Sequence, residues 1–307
     1  MTNDIAHKSK VDCPDCGHEA KKLGDIVPSN LFAGVMQDVP LDGGSLFRCF
    51  KCHLGFRFPR LSKEKLDLLY LDGVDTNWSS KSVDRKDWSI AEKQIRQLLQ
   101  PGASVLDIGC FDGGFLEKII DNYPTFGIEI HEKAMDKASS KGISIIGKDF
   151  SRITGKYDFI TSFDVIEHAH NPCQFLSNCL DATHAGGFVV ISSGNIDSLS
   201  FRMMRGRYWY CSISEHISFI SPKWFEELEP KLGFKIEKVI KFRHDQKSSL
   251  LKQYILNYLY WISPATIRVI RKLGFGGIDI IKYPTMSELP PYWGSAKDHV
   301  MILLRKL

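Results

Sequence analysis

Val105-Leu106-Asp107-Ile108-Gly109-Cys110-Phe111-Asp112-Gly113-Gly114-Phe115-Leu116 decides the fold. Residues Ser104 to Ile108 read as a buried strand, Gly109 to Gly114 as a glycine-rich turn, and the apolar spacing through Leu116, Ile119 and Ile120 as a helix. A strand that breaks into such a turn and feeds a helix sets bare backbone against a ligand. The helix N-terminus adds unpaired N–H groups and partial positive charge. One glycine-rich turn specifies little by itself; the order of the later strands and their acidic ends gives it meaning.

The next apolar run, Thr125-Phe126-Gly127-Ile128-Glu129-Ile130, ends in a carboxylate placed to accept hydrogen bonds from a ribose diol. A third strand, Ile143 to Phe150, brings Asp149 to where it could meet an adenine amine, and a fourth runs from Tyr157 to Asp164. In this order the four segments resemble the class I S-adenosylmethionine-dependent methyltransferases. That resemblance implies an α/β fold: a doubly wound, Rossmann-like, seven-stranded methyltransferase sheet. It further implies cofactor contacts from Asp107, Gly109, Cys110, Asp112, Gly113, Glu129, Asp149, Phe150, Phe163 and Asp164. Here the first motif departs from acidic-x-Gly-x-Gly and reads Asp107-x-Gly109-x-x-x-Gly113. A nicotinamide-binding sheet is the competing reading. Asp107 at the strand tip and the Phe163-Asp164-Val165-Ile166-Glu167-His168 segment argue against it.

Two C-x-x-C pairs, Cys13/Cys16 and Cys49/Cys52, precede this core. Two thiolate knuckles complete a closed tetrahedral site, so the expected metal is structural zinc in a small ribbon, with Gly17 and Gly55 easing the turns. Unrelated thiols or a redox pair are the alternatives. The expected layout is a zinc ribbon over residues 1–60, a connector and leading helix over 61–100, and the methyltransferase domain over 101–307, with an insertion at about 243–297. Tyr70 and Trp78 in the connector could pack on substrate or on the core. Ser89-Ile90-Ala91-Glu92 reads as a capping box that starts the leading helix, which Pro101-Gly102 ends.

At 307 residues and formal net charge +4, with Lys and Arg scattered, the chain has no long basic block, and nucleic acid is not the expected partner. No charged-then-apolar leader stands at the N-terminus and no apolar run approaches about eighteen residues, so the expected place is the cytoplasm. There the eight cysteines would be reduced or metal-bound.

Asp164, Glu167 and His168 follow the fourth strand. Either Asp164 contacts cofactor while Glu167-His168 starts a helix, or the three hold a divalent ion such as magnesium, as in the ubiquinone-type O-methyltransferases this stretch resembles. The fifth strand is Gly187 to Ser193. Beyond it, Ser212-Ile213-Ser214-Glu215-His216 is similar to a Tyr-x-Glu-His run of the deoxysugar C-methyltransferases, which also carry a four-cysteine module. The resemblance implies that Glu215 and His216 orient the acceptor and remove its proton. The tyrosine position is Ile213 here, with Tyr208 and Tyr210 nearby; the alternative is a histidine that merely pins the loop.

Phe234 to Phe242 and Val300 to Leu304 read as the last two strands. The helical insertion between them carries Tyr254, Tyr258, Tyr260, Trp261 and Arg271, suiting a lid, a homodimer face or a peripheral membrane contact for a lipid-linked acceptor. Leu289-Pro290-Pro291-Tyr292 lacks the Asn of the amino-methyltransferase motif and is set aside. The leading expectation is methylation of a sugar, nucleotide-linked or in a glycan. The others are a metal-assisted O-methyltransferase on a quinone or phenol, and an RNA-binding zinc-ribbon methyltransferase or scaffold.

Overall fold

The structure, a computed structural model, describes residues 10–66, 85–150, 153–244, 249–273, 281–293 and 296–307. The chain divides into two compact units. One comprises the described parts of Met1–Val74, Asn195–Ile220 and Arg243–Asp298; the other comprises those of Asp75–Gly194, Ser221–Phe242 and His299–Leu307. This differs from boundaries at 60 and 100. The segment bearing Glu215 and His216, and the 243–297 insertion, group with the N-terminal module because they share its core. Ile26 and Leu46 pack with Ile196, Phe201, Tyr208, Phe219, Tyr260 and Ile267. Residues 63–66 are helical, while Tyr70 and Trp78 lie outside the described residues.

The first unit is built on an antiparallel sheet of β1 (Lys10–Asp12), β2 (Glu19–Asp25), β5 (Ser45–Cys49), β6 (Gly55–Phe58) and β12 (Ser218–Phe219), in that order. A separate hairpin pairs β3 (Ser29–Phe32) with β4 (Val35–Leu41) through Ala33 and Gly34, both at positive φ. Two consecutive left-handed residues match the right-handed twist of the flanking strands. Strand β12 comes from far along the chain and docks Ser218 opposite Phe56 and Phe219 opposite Gly55. Gly55 belongs there for a steric reason: a Cβ would sit 2.3 Å from Ile196 Cδ1 and 3.1 Å from Phe219 Cβ. Helices α6 (Leu250–Ile262) and α7 (Pro264–Lys272) form the insertion. Among the described residues no helix is long and apolar enough to cross a membrane.

The second unit is a seven-stranded sheet in the order β13 (Phe234–Phe242), β14 (His299–Lys306), β11 (Thr183–Gly194), β10 (Tyr157–Phe163), β7 (Val105–Ile108), β8 (Thr125–Ile128), β9 (Ser144–Gly147). Pairing is parallel from β11 to β9, while β14 runs antiparallel to β11 and β13. Every residue of β7 is buried, as a strand covered on both faces requires. Helices α1 (Lys86–Leu98), α2 (Glu132–Ser140), α3 (Pro172–Asp181) and α5 (Pro222–Leu232) connect these strands; α4 (Leu199–Met204) belongs to the first unit. Asn171 caps α3 and Ser221 caps α5, each with proline at the first turn.

Two expectations are corrected. Helix α1 begins at Lys86, so Ser89 lies within its first turns rather than at its cap, and Ser89 Oγ bonds back to the Arg85 carbonyl. After the glycine-rich turn there is no regular helix, only a 3₁₀ turn at Leu116–Lys118. The apolar residues still pack inward, with Phe115, Leu116 and Ile119 in the core.

Substituting Gly55→Ala should overpack the seam between β6 and β12 and lower stability by about 1–3 kcal/mol. A fall in the chemical-denaturation midpoint checks this; an unchanged midpoint would mean that Ile196 swings aside without cost.

Candidate active site

Strand β7 is followed by β8 and β9 on one side and then by β10 on the other, so the order reverses at β7. Ligands of open α/β sheets bind beyond the carboxyl ends of the strands at such a reversal. There the backbone is bent sharply: Gly109, Phe111 and Gly113 all have positive φ after β7, and Asp164 does after β10. Gly109 and Gly113 also lie against neighbours, since added Cβ atoms would meet Val165 Cγ2 at 2.6 Å and Ile143 Cδ1 at 2.1 Å. Gly127 makes room for the sulfur of Cys110, which is buried in the core.

Glu129 ends β8 and fastens this turn. Its Oε2 accepts from the Phe111 N–H at 2.8 Å, and its Oε1 accepts from Ile130 and His131 N–H at 2.8 and 2.9 Å. A carboxylate has about four acceptor positions, so capacity remains for a ligand hydroxyl. Beyond β9, Asp149 is exposed and Phe150 half-buried, its ring edge-on to Phe175 at 5.0 Å. Asp112 Oδ1 accepts from the Gly114 N–H and steadies the loop. A carboxylate with spare acceptor capacity, an exposed Asp and a half-buried aromatic edge along adjacent strand ends form a donor set that fits an adenosyl cofactor.

Asp107 lies deeper. It is buried and accepts from Thr161 Oγ1 at 2.7 Å. Burial pushes its carboxyl up to about 8, against the opposing pull of Thr161 and Arg85. Arg85 bridges the buried Asp87, at 2.5 Å, and Asp164, at 2.6 Å. Burial would lower the Arg85 pKa, but Asp164 and Asp87 outweigh it and hold the guanidinium charged. Phe163 is buried with its ring 4.8 Å from Phe115.

Of the three residues that the sequence suggests for magnesium, Glu167 and His168 bring ligand atoms within 4.8 Å of each other, while Asp164 is not grouped with them. Asp164, in a left-handed conformation, is drawn to Arg85, while the fully buried Glu167 accepts from Ser193 Oγ at 2.9 Å. The sequence holds no sign of the Arg85 bridge, because nothing in the spacing from 85 to 164 pairs them.

In the first unit, the sulfurs of Cys13, Cys16, Cys49 and Cys52 lie within 4.8 Å of one another, with Cys13–Cys52 and Cys16–Cys49 at 3.5 Å. Zn–S bonds of about 2.3 Å in a tetrahedron place sulfurs roughly 3.8 Å apart, so the four thiols could hold zinc. The Cys52 thiol lowers the Cys13 pKa to about 5. Gly17 and His53 follow the knuckles in left-handed conformations. The second turn therefore falls at His53, not at Gly55, which belongs to β6.

Arg57, buried, organises the Glu215-His216 segment. Its guanidinium donates to the carbonyls of Gly43 (2.8 Å), Cys211 (2.6 Å), Ile213 (2.9 Å) and His216 (3.1 Å). Glu215 Oε1 accepts from the N–H of Ala33 at the β3–β4 turn, at 3.1 Å. His216 Nδ1 lies 3.0 Å from the Tyr210 carbonyl, and its ring packs on the Tyr210 ring at 4.2 Å. A carbonyl only accepts, so Nδ1 carries the proton and Nε2 keeps the lone pair. Tyr208 cannot stand in for the missing tyrosine. Its hydroxyl donates to Asp298 at 2.5 Å, and burial raises its pKa further.

Because the folded Asp107 pKa is raised, its stabilising contribution is fullest below about pH 4 and is lost as pH rises towards about 8. Asp107→Asn keeps an acceptor for Thr161 and removes the titration. The stability of the variant relative to native should therefore climb across that window and then level off, as read by denaturation midpoints at stepped pH. A constant difference would place the Asp107 pKa in the ordinary range.

A family profile described as a methyltransferase domain matches residues 85–239, about half of the chain. Over 111 residues the chain is 28% identical to the ubiquinone biosynthesis O-methyltransferase of Thiobacillus denitrificans, covering 33% of this chain and 48% of that protein. It is 24% identical over 135 residues to the bifunctional methionine biosynthesis protein MetXA/MetW of Rhodopirellula baltica, covering 39% and 21%. The chain thus spans between about a fifth and a half of the length of these curated relatives. Among solved structures, the N-methyltransferase NodS of Bradyrhizobium japonicum is similar at 12% identity and a TM-score of 0.47, covering 76% of this chain and 93% of that one. With the methyltransferase profile running from just before α1 into β13 over half of the chain, the chain belongs to the S-adenosylmethionine-dependent methyltransferases.

Proposed function

We propose that the acceptor is a sugar, nucleotide-linked or within a glycan, and that His216 removes the proton of its nucleophile. The observation that carries this is the buried imidazole fixed by the Tyr210 carbonyl, which leaves Nε2 as the basic nitrogen. The resemblance of the Glu215-His216 run and the four-cysteine module to the deoxysugar C-methyltransferases supports the sugar class. Gly109, Asp112, Gly113, Glu129, Asp149 and Phe150 bind the cofactor, with Glu129 on the ribose diol and Asp149 on the adenine amine. Asp107, Cys110, Phe163 and Asp164 shape that end of the sheet from beneath.

When bound, the cofactor supplies an electrophilic methyl on a sulfonium, and catalysis is chiefly alignment and proton removal. Glu215 holds the hairpin turn at Ala33 and sets the loop from which the imidazole projects. Cys13, Cys16, Cys49 and Cys52 hold zinc in a closed site with no open position, so its role is structural. A quinone or phenolic acceptor is the second reading, favoured by the names of the ubiquinone biosynthesis relatives. It shares the same base.

Incubating the protein with methyl-labelled S-adenosylmethionine and a cell extract, then partitioning the label, separates the readings. Label in sugar nucleotides or glycan is expected; label in the organic-soluble fraction would establish the second reading, and label in RNA would overturn both. His216→Asn should lower the turnover rate by about 10²–10⁴-fold with cofactor affinity retained; a rate close to native would remove His216 as the base. Metal analysis should find one zinc per chain, lost in Cys49→Ser together with thermal stability. A metal-free native protein of unchanged stability would contradict the structural site.

A further inference from the structure

Helix α6 buries two amides and shows a broad apolar face, although Tyr260 and Leu256 pack into the core of the first unit. Its buried positions are Gln253, Asn257 and Tyr260, on one helical face, with Asn257 only 1% exposed and donating to the Gln253 carbonyl at 3.0 Å. The opposite face carries Leu251 (68% exposed), Tyr254, Ile255, Tyr258, Trp261 (49%) and Ile262. A helix that serves only its own fold buries its apolar stripe and shows its amides to water. This one buries Gln253 and Asn257 beside Tyr260 and leaves a second apolar face exposed, and that face is continuous: Tyr254 and Tyr258 stack with ring planes 4° apart, and Trp261 follows at 6.2 Å from Tyr258. Val269 and Leu273 of the α7 segment are exposed as well. Contiguous apolar surface of this kind marks an interaction site.

Charge selects the occupant. From Ser249 to Leu273 the chain carries Lys252, Arg268, Arg271 and Lys272 and no carboxylate. Arg268 is paired with Glu288, at 2.5 Å, and Arg271 donates to the carbonyls of Met286, Ser287 and Leu289. Lys252 and Lys272 are exposed. A second copy docking through the same face would bring like charges together around the patch. A bilayer bearing anionic headgroups instead complements them, and Tyr and Trp are the side chains that favour the boundary between headgroup and acyl chain. Neither helix can span a membrane, and the amides Gln253 and Asn257 of α6 are already buried in the protein, so the helix would lie in the interfacial plane.

We propose that the exposed face of α6, flanked by Lys252 and Lys272, seats the protein on an anionic lipid surface. Such seating is independent of the identity of the acceptor, although a lipid-linked acceptor would be presented there. The test is co-sedimentation of the full chain with vesicles of phosphatidylcholine alone or with about one-third phosphatidylglycerol. Binding to the anionic vesicles is expected, weakened by salt. Leu251→Ser with Trp261→Ser, both at exposed positions, should cut the bound fraction by about tenfold, and Lys252→Glu with Lys272→Glu should abolish the preference for anionic lipid. Equal binding to both vesicle types would overturn the anionic surface. Absence of sedimentation with either would overturn the proposal, as would a dimer in light scattering that Trp261→Ser dissociates in place of vesicle binding. A native far-ultraviolet circular-dichroism spectrum and an unchanged thermal midpoint in each variant show that the fold is intact.

Discussion

Arg57 is the constraint on which the first unit rests. A guanidinium taken out of water is costly, and burial lowers its pKa to about 10. Four carbonyls receive it, from Gly43 in the N-terminal module and from Cys211, Ile213 and His216 far along the chain. The planar fork of donors gives an Arg this reach, where a Lys ammonium would offer a single point. Removing it would strand buried carbonyls at about 1–3 kcal/mol each, enough to release the whole segment. Two stretches far apart in sequence are thereby fixed as one piece, and β12 joins the same sheet directly after His216.

The second unit solves a different problem, which is to hold a bare glycine-rich turn open without a helix behind it. Glu129 substitutes for the missing helix by gathering the N–H groups of Phe111, Ile130 and His131. The left-handed conformations of Phe111 and Asp164 are tolerated because each is tied down, the first by Glu129 and the second by Arg85. Positively charged Arg85 also offsets part of the cost of burying Asp87 and of crowding carboxylates at the strand ends. The carboxylates are therefore not interchangeable. Asp87 and Asp107 are buried, Glu129 organises backbone, and Asp149 is exposed.

Much of this was legible in the sequence where local pattern dictates structure. The parallel strands from β7 to β10 announce themselves as short apolar runs with acidic residues at or near their ends, β13 as a mixed apolar and charged run and β14 as a continuous apolar run around the insertion. The cysteine pairs converge because C-x-x-C at two hairpin turns leaves few other arrangements. What escaped was long-range and polar. Nothing at Arg57 or Arg85 distinguishes them from surface arginines, since their partners are carbonyls and carboxylates brought close only by the fold. The grouping of the insertion with the N-terminal module likewise depends on shared burial of Ile26, Leu46, Tyr260 and Ile267, which no local window contains. The helix expected after Gly114 failed because apolar spacing over one turn fits a 3₁₀ turn as well as an α-helix.

A base at His216 requires an unprotonated Nε2, and an Nδ1–H donated to the Tyr210 carbonyl gives that tautomer. The ¹⁵N chemical shifts of the His216 imidazole, assigned by comparison with His216→Asn, report the tautomer directly. A protonated Nδ1 and an unprotonated Nε2 are expected at neutral pH. The opposite tautomer would leave Nε2 a donor, and His216 could not be the base.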